Sequence, residues 1–140
     1  MDRLLKIIEQ NARLSVEEIA AMLNEPVAEV AARLDGYKKD GVIRATRALV
    51  DWERVGGNGR HALIEVRVSP SKGHGFDEIA ETISQLDEVD GVLLMSGGYD
   101  LSVTISGSTF QEVALFVAKR LSPLDGVLST ATHFVLRTYK

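Results

Sequence analysis

The hydrophobic period of this chain changes part-way along it, and that change limits the fold more than any other feature. Over the first 40 residues apolar side chains recur at helical spacing. From His61 onward, helical stretches are interleaved with short β-like runs. One chain therefore holds an all-helical part followed by a mixed part, an α+β arrangement with a boundary in the polar stretch between them.

The helical part resolves into three segments. Leu4, Leu5, Ile7 and Ile8 form the stripe of a first helix. Ser15-Val16-Glu17-Glu18 is a capping box, in which the Ser15 hydroxyl accepts from the Glu18 N–H and the Glu18 carboxylate reaches back. The second helix buries Ile19, Ala20 and Leu23 and stops at Asn24, a residue that tolerates the left-handed conformation of a helix end. Pro26 suits the first turn of a third helix, whose buried face is Val27, Val30, Leu34 and Tyr37 and which ends at Gly41. Two short helices joined by a few residues admit two readings, a DNA-reading helix-turn-helix or an ordinary three-helix bundle.

Residues 45–50 read as a connecting strand, and 51–60 as a polar, glycine-containing hinge or loop. The organisation expected is 1–44 for the helix-turn-helix (winged-helix-like) part, 45–60 for the connector and 61–140 for the mixed domain. Within the last, 62–68 alternates as a strand. Phe76, Ile79, Ala80, Ile83 and Leu86 mark a helix over 75–86. Residues 92–95 and 101–105 are strands. Phe110, Val113, Ala114, Val117 and Leu121 mark a helix over 109–121, and 127–139 is a threonine-rich last strand. The order β-α-β-β-α-β is the ferredoxin-like split βαβ arrangement, with both helices on one face of an antiparallel sheet. A bare sheet face in so small a domain predicts a homodimer.

Charge and composition narrow the function. The chain carries 140 residues, a net charge of −4 and no cysteine, so there is neither a disulfide framework nor a thiolate metal site. Residues 1–50 are electrically neutral, and the rest carries the whole −4. Neutrality is a weak advertisement for nucleic acid, but it makes the first part the better candidate. No targeting segment is evident and no apolar run approaches the roughly 18 residues needed to span a bilayer, so a cytoplasmic protein is expected. His61, His74 and His133 lack ligand spacing, so no metal or cofactor is expected. Ser69-Pro70-Ser71 has no base at fixed spacing. The glycine runs at 56–59 and 73–75 lack the phosphate-loop context, though the second precedes a helix N-terminus that would accept an anion. Nothing in this inventory calls for an enzyme.

The run 92–103, Val-Leu-Leu-Met-Ser-Gly-Gly-Tyr-Asp-Leu-Ser-Val, is the most pointed local feature. Two glycines and a carboxylate sit where two strands turn. They are either a turn alone or a place where a small molecule meets backbone closely.

Taken together, a helix-turn-helix, a βαββαβ domain and Gly97-Gly98-Tyr99-Asp100-Leu101 between the middle strands resemble the leucine-responsive/asparagine-regulator (Lrp/AsnC) family of prokaryotic transcription factors. The resemblance covers nearly the whole chain. It also rests on Leu14-Ser15 with Glu18-Ile19-Ala20, on Asp40-Gly41-Val42-Ile43, on Ala48-Leu49-Val50-Asp51 and on the last strand from Gly126 to Thr132 with Phe134-Val135-Leu136. It implies homodimers, often octamers built as tetramers of dimers, and an amino-acid effector in clefts lined by Gly97, Gly98, Tyr99, Asp100 and Leu101, with Thr130, Ala131 and Thr132 from the last strand. A zwitterion needs N–H donors for its carboxylate, which a glycine turn supplies, and an acceptor for its ammonium, which Asp100 or a free carbonyl supplies. Double-stranded DNA would be met by Arg13, Ala28, Ala32, Arg33, Lys38 and Arg47.

The third helix departs from the family's usual exposed Ser, Thr and Arg. It offers Ala28, Glu29, Ala31, Ala32, Arg33, Asp35 and Gly36, of which only Arg33 is a good base reader. A single such domain should bind DNA weakly, and linking several would recover affinity. Two alternatives follow: a small-molecule-sensing module with weak or lost DNA binding, and, less favoured by the acidic second part, an enzyme resembling the sirohaem decarboxylases.

Overall fold

The computed structural model describes residues 2–51, 54–55, 60–69 and 75–139. Most of the expected hinge at 51–60, together with Ser71, Gly73 and His74, lies outside them. The chain divides into two compact units, Met1–Val50 and Asp51–Lys140.

The first unit contains α1 (Arg3–Gln10), α2 (Val16–Leu23) and α3 (Val27–Lys39). Asp2 caps α1 by accepting the Leu4 N–H at 2.7 Å. The capping box at α2 is formed in both directions, Ser15 N–H to Glu18 Oε2 at 2.8 Å and Glu18 N–H to Ser15 Oγ at 3.2 Å. Asn24 takes φ 58° and ψ 44°, ending α2 and turning the chain into α3. Leu4, Ile19, Ala20, Val30 and Leu34 are the buried core, flanked by Ile7, Ile8, Leu14, Leu23 and Tyr37. Val27, expected on the buried stripe, is exposed at the first turn of α3.

Residues 45–50 do not form the expected strand. Their composition is strand-like, but a strand is made by its neighbour, and the helices of this unit offer no sheet edge. Leu49 is left wholly exposed.

The second unit is β1 (Arg60–Val68), α4 (Phe76–Ser84), β2 (Gly91–Leu94), β3 (Leu101–Ser108), α5 (Phe110–Phe116), a π-helical turn (Val117–Leu121) and β4 (Val127–Phe134). The four strands form one antiparallel sheet in the order β2-β3-β1-β4, the ferredoxin-like arrangement. Alternation fixes its faces. Ala62, Ile64, Val66 and Val68 of β1 and Leu101, Val103 and Ile105 of β3 point to the helices and join Ile79, Ile83, Val113, Phe116 and Leu121 in one core. Leu63, Glu65 and Arg67 point to the other face.

Two element ends differ from the periodicity reading. The helix read over 109–121 changes to a π-helical turn after Phe116, with Ser122 N–H donating to Val117 O at 2.8 Å. At about 3.6 residues per turn, Leu121 would lie roughly 140° round from Phe116. The wider π turn brings it back, so both are buried. The last strand ends at Phe134 rather than at 139, where its ladder with β1 closes. Ala62 faces Phe134, and Val135 N–H donates to His61 O at 2.8 Å. Among the described residues no helix is long and apolar enough to cross a membrane.

Candidate functional site

The hairpin between β2 and β3 is built from its base upward. Leu94 faces Leu101 as the last ladder pair, and Met95 N–H donates to Asp100 O at 2.8 Å. Gly97 adopts φ 142°, a conformation L side chains rarely take, and there is open space where its Cβ would be. The tip, from Met95 to Gly98, is exposed, while Tyr99 and Asp100 are half-buried.

Asp100 ties this hairpin to the end of β1. Its N–H donates to Val66 O at 3.0 Å and its Oδ2 accepts the Val68 N–H at 2.9 Å. One oxygen of the carboxylate is thus engaged by backbone. Arg67, between those two strand residues, also reaches the tip. Its Nη2 donates to Gly98 O at 2.6 Å and its guanidinium lies 5.4 Å from the centre of the Tyr99 ring. Sequence reasoning missed Arg67, which reads only as the outward residue of an alternating strand. No local pattern could pair it with residues 31 and 32 positions away.

The other residues expected around the hairpin are distributed differently. Leu101 is fully buried, so it holds the hairpin to the core and does not line a cleft with its side chain. Thr130 faces Val66 and Thr132 faces Ile64, on the helix-facing side of the sheet, whereas Ala131 faces Glu65 on the opposite side. The three cannot line one cleft from one side. Leu101, Val66 and Thr130 lie in register on three adjacent strands, so Thr130 stands about 10 Å from Leu101 across the sheet. On the open face, His133 Nε2 lies 3.1 Å from Glu65 Oε2. Two surface clefts, of about 810 Å³ beside Glu78, Thr82 and Asp125 and about 490 Å³ beside Glu88, Phe116 and Lys119, lie away from the hairpin. Among the described residues no cluster of three or more His, Asp or Glu is placed to ligate a metal.

On the exposed side of α3, Ala28, Glu29, Ala32, Asp35 and Lys38 face solvent. Arg33 does not join them as a free base reader. Its Nη1 lies 2.5 Å from Glu25 Oε2 and its Nη2 3.3 Å from Asp2 Oδ1, while the Tyr37 hydroxyl donates to Asp2 Oδ2. From the period of α3 alone the guanidinium faces outward, but the cap of α1 and the α2–α3 turn bring two carboxylates to it. The Tyr37 hydroxyl, the Leu4 and Leu5 N–H groups and Arg33 hold the Asp2 carboxyl below the usual carboxylate value. The same hydrogen bond raises the Tyr37 phenol. Lys38 has only a 4.0 Å solvent-exposed pair with Asp35. Arg13 and Arg47 are exposed on 11–15 and 44–50.

Residues 61–140, which contain the hairpin and all of the sheet but Arg60, match the family model described as the Lrp/AsnC ligand-binding domain. The chain belongs to the Lrp/AsnC family. It is 48% identical over 138 residues to the HTH-type transcriptional regulator YugG of Bacillus subtilis, covering 98% of this chain and 83% of that one. It is 30% identical over 138 residues to the HTH-type regulator PF1231 of Pyrococcus furiosus, covering 99% and 90%. Among solved structures, the Escherichia coli AsnC structure aligns with TM-score 0.69 at 20% identity, over 100% of this chain and 95% of that one. The NMB0573/L-Met complex of Neisseria meningitidis aligns with TM-score 0.75 at 23% identity, over 100% and 92%. These likenesses extend the fold over both units. A Lrp/AsnC protein is a ligand-responsive transcriptional regulator and not an enzyme, which removes the decarboxylase alternative.

Proposed function

We propose that this Lrp/AsnC regulator binds double-stranded DNA through the first unit and an amino acid at the 97–100 hairpin of the second. The observation that carries the reading is the hairpin itself. An exposed Gly97-Gly98 tip is fixed at its base by Asp100 and braced by Arg67, inside the stretch that matches the ligand-binding domain. The neisserial relative was solved with L-methionine, which supports an amino acid as the class of ligand.

Because Thr130 and Ala131 face opposite sides of the sheet, a cleft using both needs more than one chain. That favours assembly as homodimers and of dimers into an octamer. The exposed apolar residues of β2, Leu93 and Leu94, offer surface for such contacts. The cytoplasm is the compartment this function requires.

The DNA surface consists of Ala28, Ala32 and Lys38 on α3 together with Arg13 and Arg47. With Arg33 engaged by Glu25 and Asp2, sequence reading by α3 rests on apolar contacts and affinity rests on the flanking cations. This same engagement favours a second reading, a sensing module with weak DNA binding. Gel shift with the region upstream of its own gene, at low and moderate salt, separates them. Retarded DNA at low salt supports the regulator. Calorimetric amino-acid binding with no retarded DNA at any salt supports the sensing module.

A further inference from the structure

We propose that Arg67 is the carboxylate-recognising residue of the hairpin site, so that the site selects ligands bearing a free acid group. This rests on the reading of the hairpin as the effector site.

A guanidinium carries five N–H donors in a planar fork. Arg67 uses one nitrogen on Gly98 O and lays its plane near the Tyr99 ring. Both contacts fix the side chain over the tip without neutralising it. Among the described residues Arg67 has no carboxylate partner within ion-pair distance. Glu65, the nearest acid on its strand face, is engaged by His133, and Asp100 has one oxygen on Val68 N–H. The hairpin therefore presents a held cation without a direct ion pair next to a glycine turn. A carboxylate meeting the remaining donors gains charge-assisted hydrogen bonds at little ordering cost, because Gly98 and Tyr99 already hold the fork. An ammonium gains nothing there and is repelled.

The acceptor in the same cluster is Asp100. Its Oδ1 makes no hydrogen bond among the described residues, and it is the group that would meet a ligand's ammonium. The division of labour is thus Arg67 for the acid group and Asp100 for the amine, with the glycines keeping the approach open.

The test is calorimetry on the full chain with each of the twenty L-amino acids, then with the carboxamide of any that binds, for the wild type and Arg67→Gln. The wild type should prefer the acid over its amide by at least about tenfold, the range expected for a charge-assisted hydrogen bond. Arg67→Gln should bring that ratio close to one, and Arg67→Lys should restore part of it. A variant that loosens the fold weakens both ligands and leaves the ratio intact, so an unchanged ratio in Arg67→Gln overturns the proposal. If the wild type binds none of the twenty, the hairpin reading falls and this inference falls with it. If an amino acid binds and only the ratio is unmoved, the hairpin reading stands and the role of Arg67 does not.

Discussion

Asp100 and Val68 are joined by a hydrogen bond from a backbone N–H of β1 to a side chain of the β2–β3 hairpin, Val68 N to Asp100 Oδ2 at 2.9 Å. The ladder between β1 and β3 ends at the pair Val66–Leu101. The carboxylate thus satisfies an N–H of β1 that lies beyond that last pair. A carboxylate that seems placed only for a ligand also closes the sheet.

Replacing Asp100 by Ala should therefore cost stability as well as ligand response. Losing a hydrogen bond to a charged acceptor and leaving the Val68 N–H unmet should cost about 1–3 kcal/mol. Thermal unfolding followed by circular dichroism should show a fall of several degrees. An unchanged melting temperature would mean that the tie contributes nothing.

The glycines of the second unit should not respond alike. Gly126 has φ +88°, and a Cβ there would lie 2.7 Å from Ile79 Cδ1 and 3.3 Å from Ser69 O. Gly126→Ala should destabilise by about 1–3 kcal/mol through backbone strain and crowding of α4. Gly98 has no such φ and nothing within 4 Å, so Gly98→Ala should leave the melting temperature nearly unchanged. Comparing the two melts checks this.

Acid should act on the first unit through Asp2. Its folded pKa lies below the ordinary 3.8, chiefly because of the Tyr37 hydroxyl. A group with a depressed folded pKa contributes stability that is present above the unfolded value and lost as pH falls through the folded one. Helical signal from the full chain should decline below about pH 4, and Asp2→Asn should flatten its share of that decline. An identical acid profile in the variant would contradict the role of the Asp2–Tyr37 bond.

Cations beside α3 should separate into two kinds. Lys38→Ala should weaken DNA binding across sequences and reduce the slope of log affinity against log salt by about one. Arg33→Ala should instead lower the melting temperature, since it leaves Glu25 and Asp2 without their shared cation. Anisotropy titrations at several salt concentrations, paired with melts, distinguish the two. A full unit of salt slope lost on Arg33→Ala would place Arg33 on the phosphate backbone.

Much of this molecule is legible in its sequence because its determinants are local. The Ser15–Glu18 box, the Asn24 stop and the alternation of β1 each act over a few residues. Thr109 and Glu112 form a second capping box that the same rule finds. What was not legible depends on partners far along the chain. Arg33 is claimed by Asp2, 31 residues away. Leu101 sits on the core face because of the register of β3 on β1. Residues 45–50 have strand composition but no neighbouring edge. The candidate site shows the same split: glycines mark the turn, while Arg67 is assigned only once β1 and the hairpin lie side by side.

The most direct test is the affinity of this chain for labelled DNA from upstream of its own gene, measured by anisotropy at low salt with and without each of the twenty amino acids. A ligand-responsive regulator should bind the DNA, and at least one amino acid should change its affinity by more than about threefold, on the order of the weakest allosteric couplings. DNA binding that no amino acid alters, or no binding at any salt, would contradict that function.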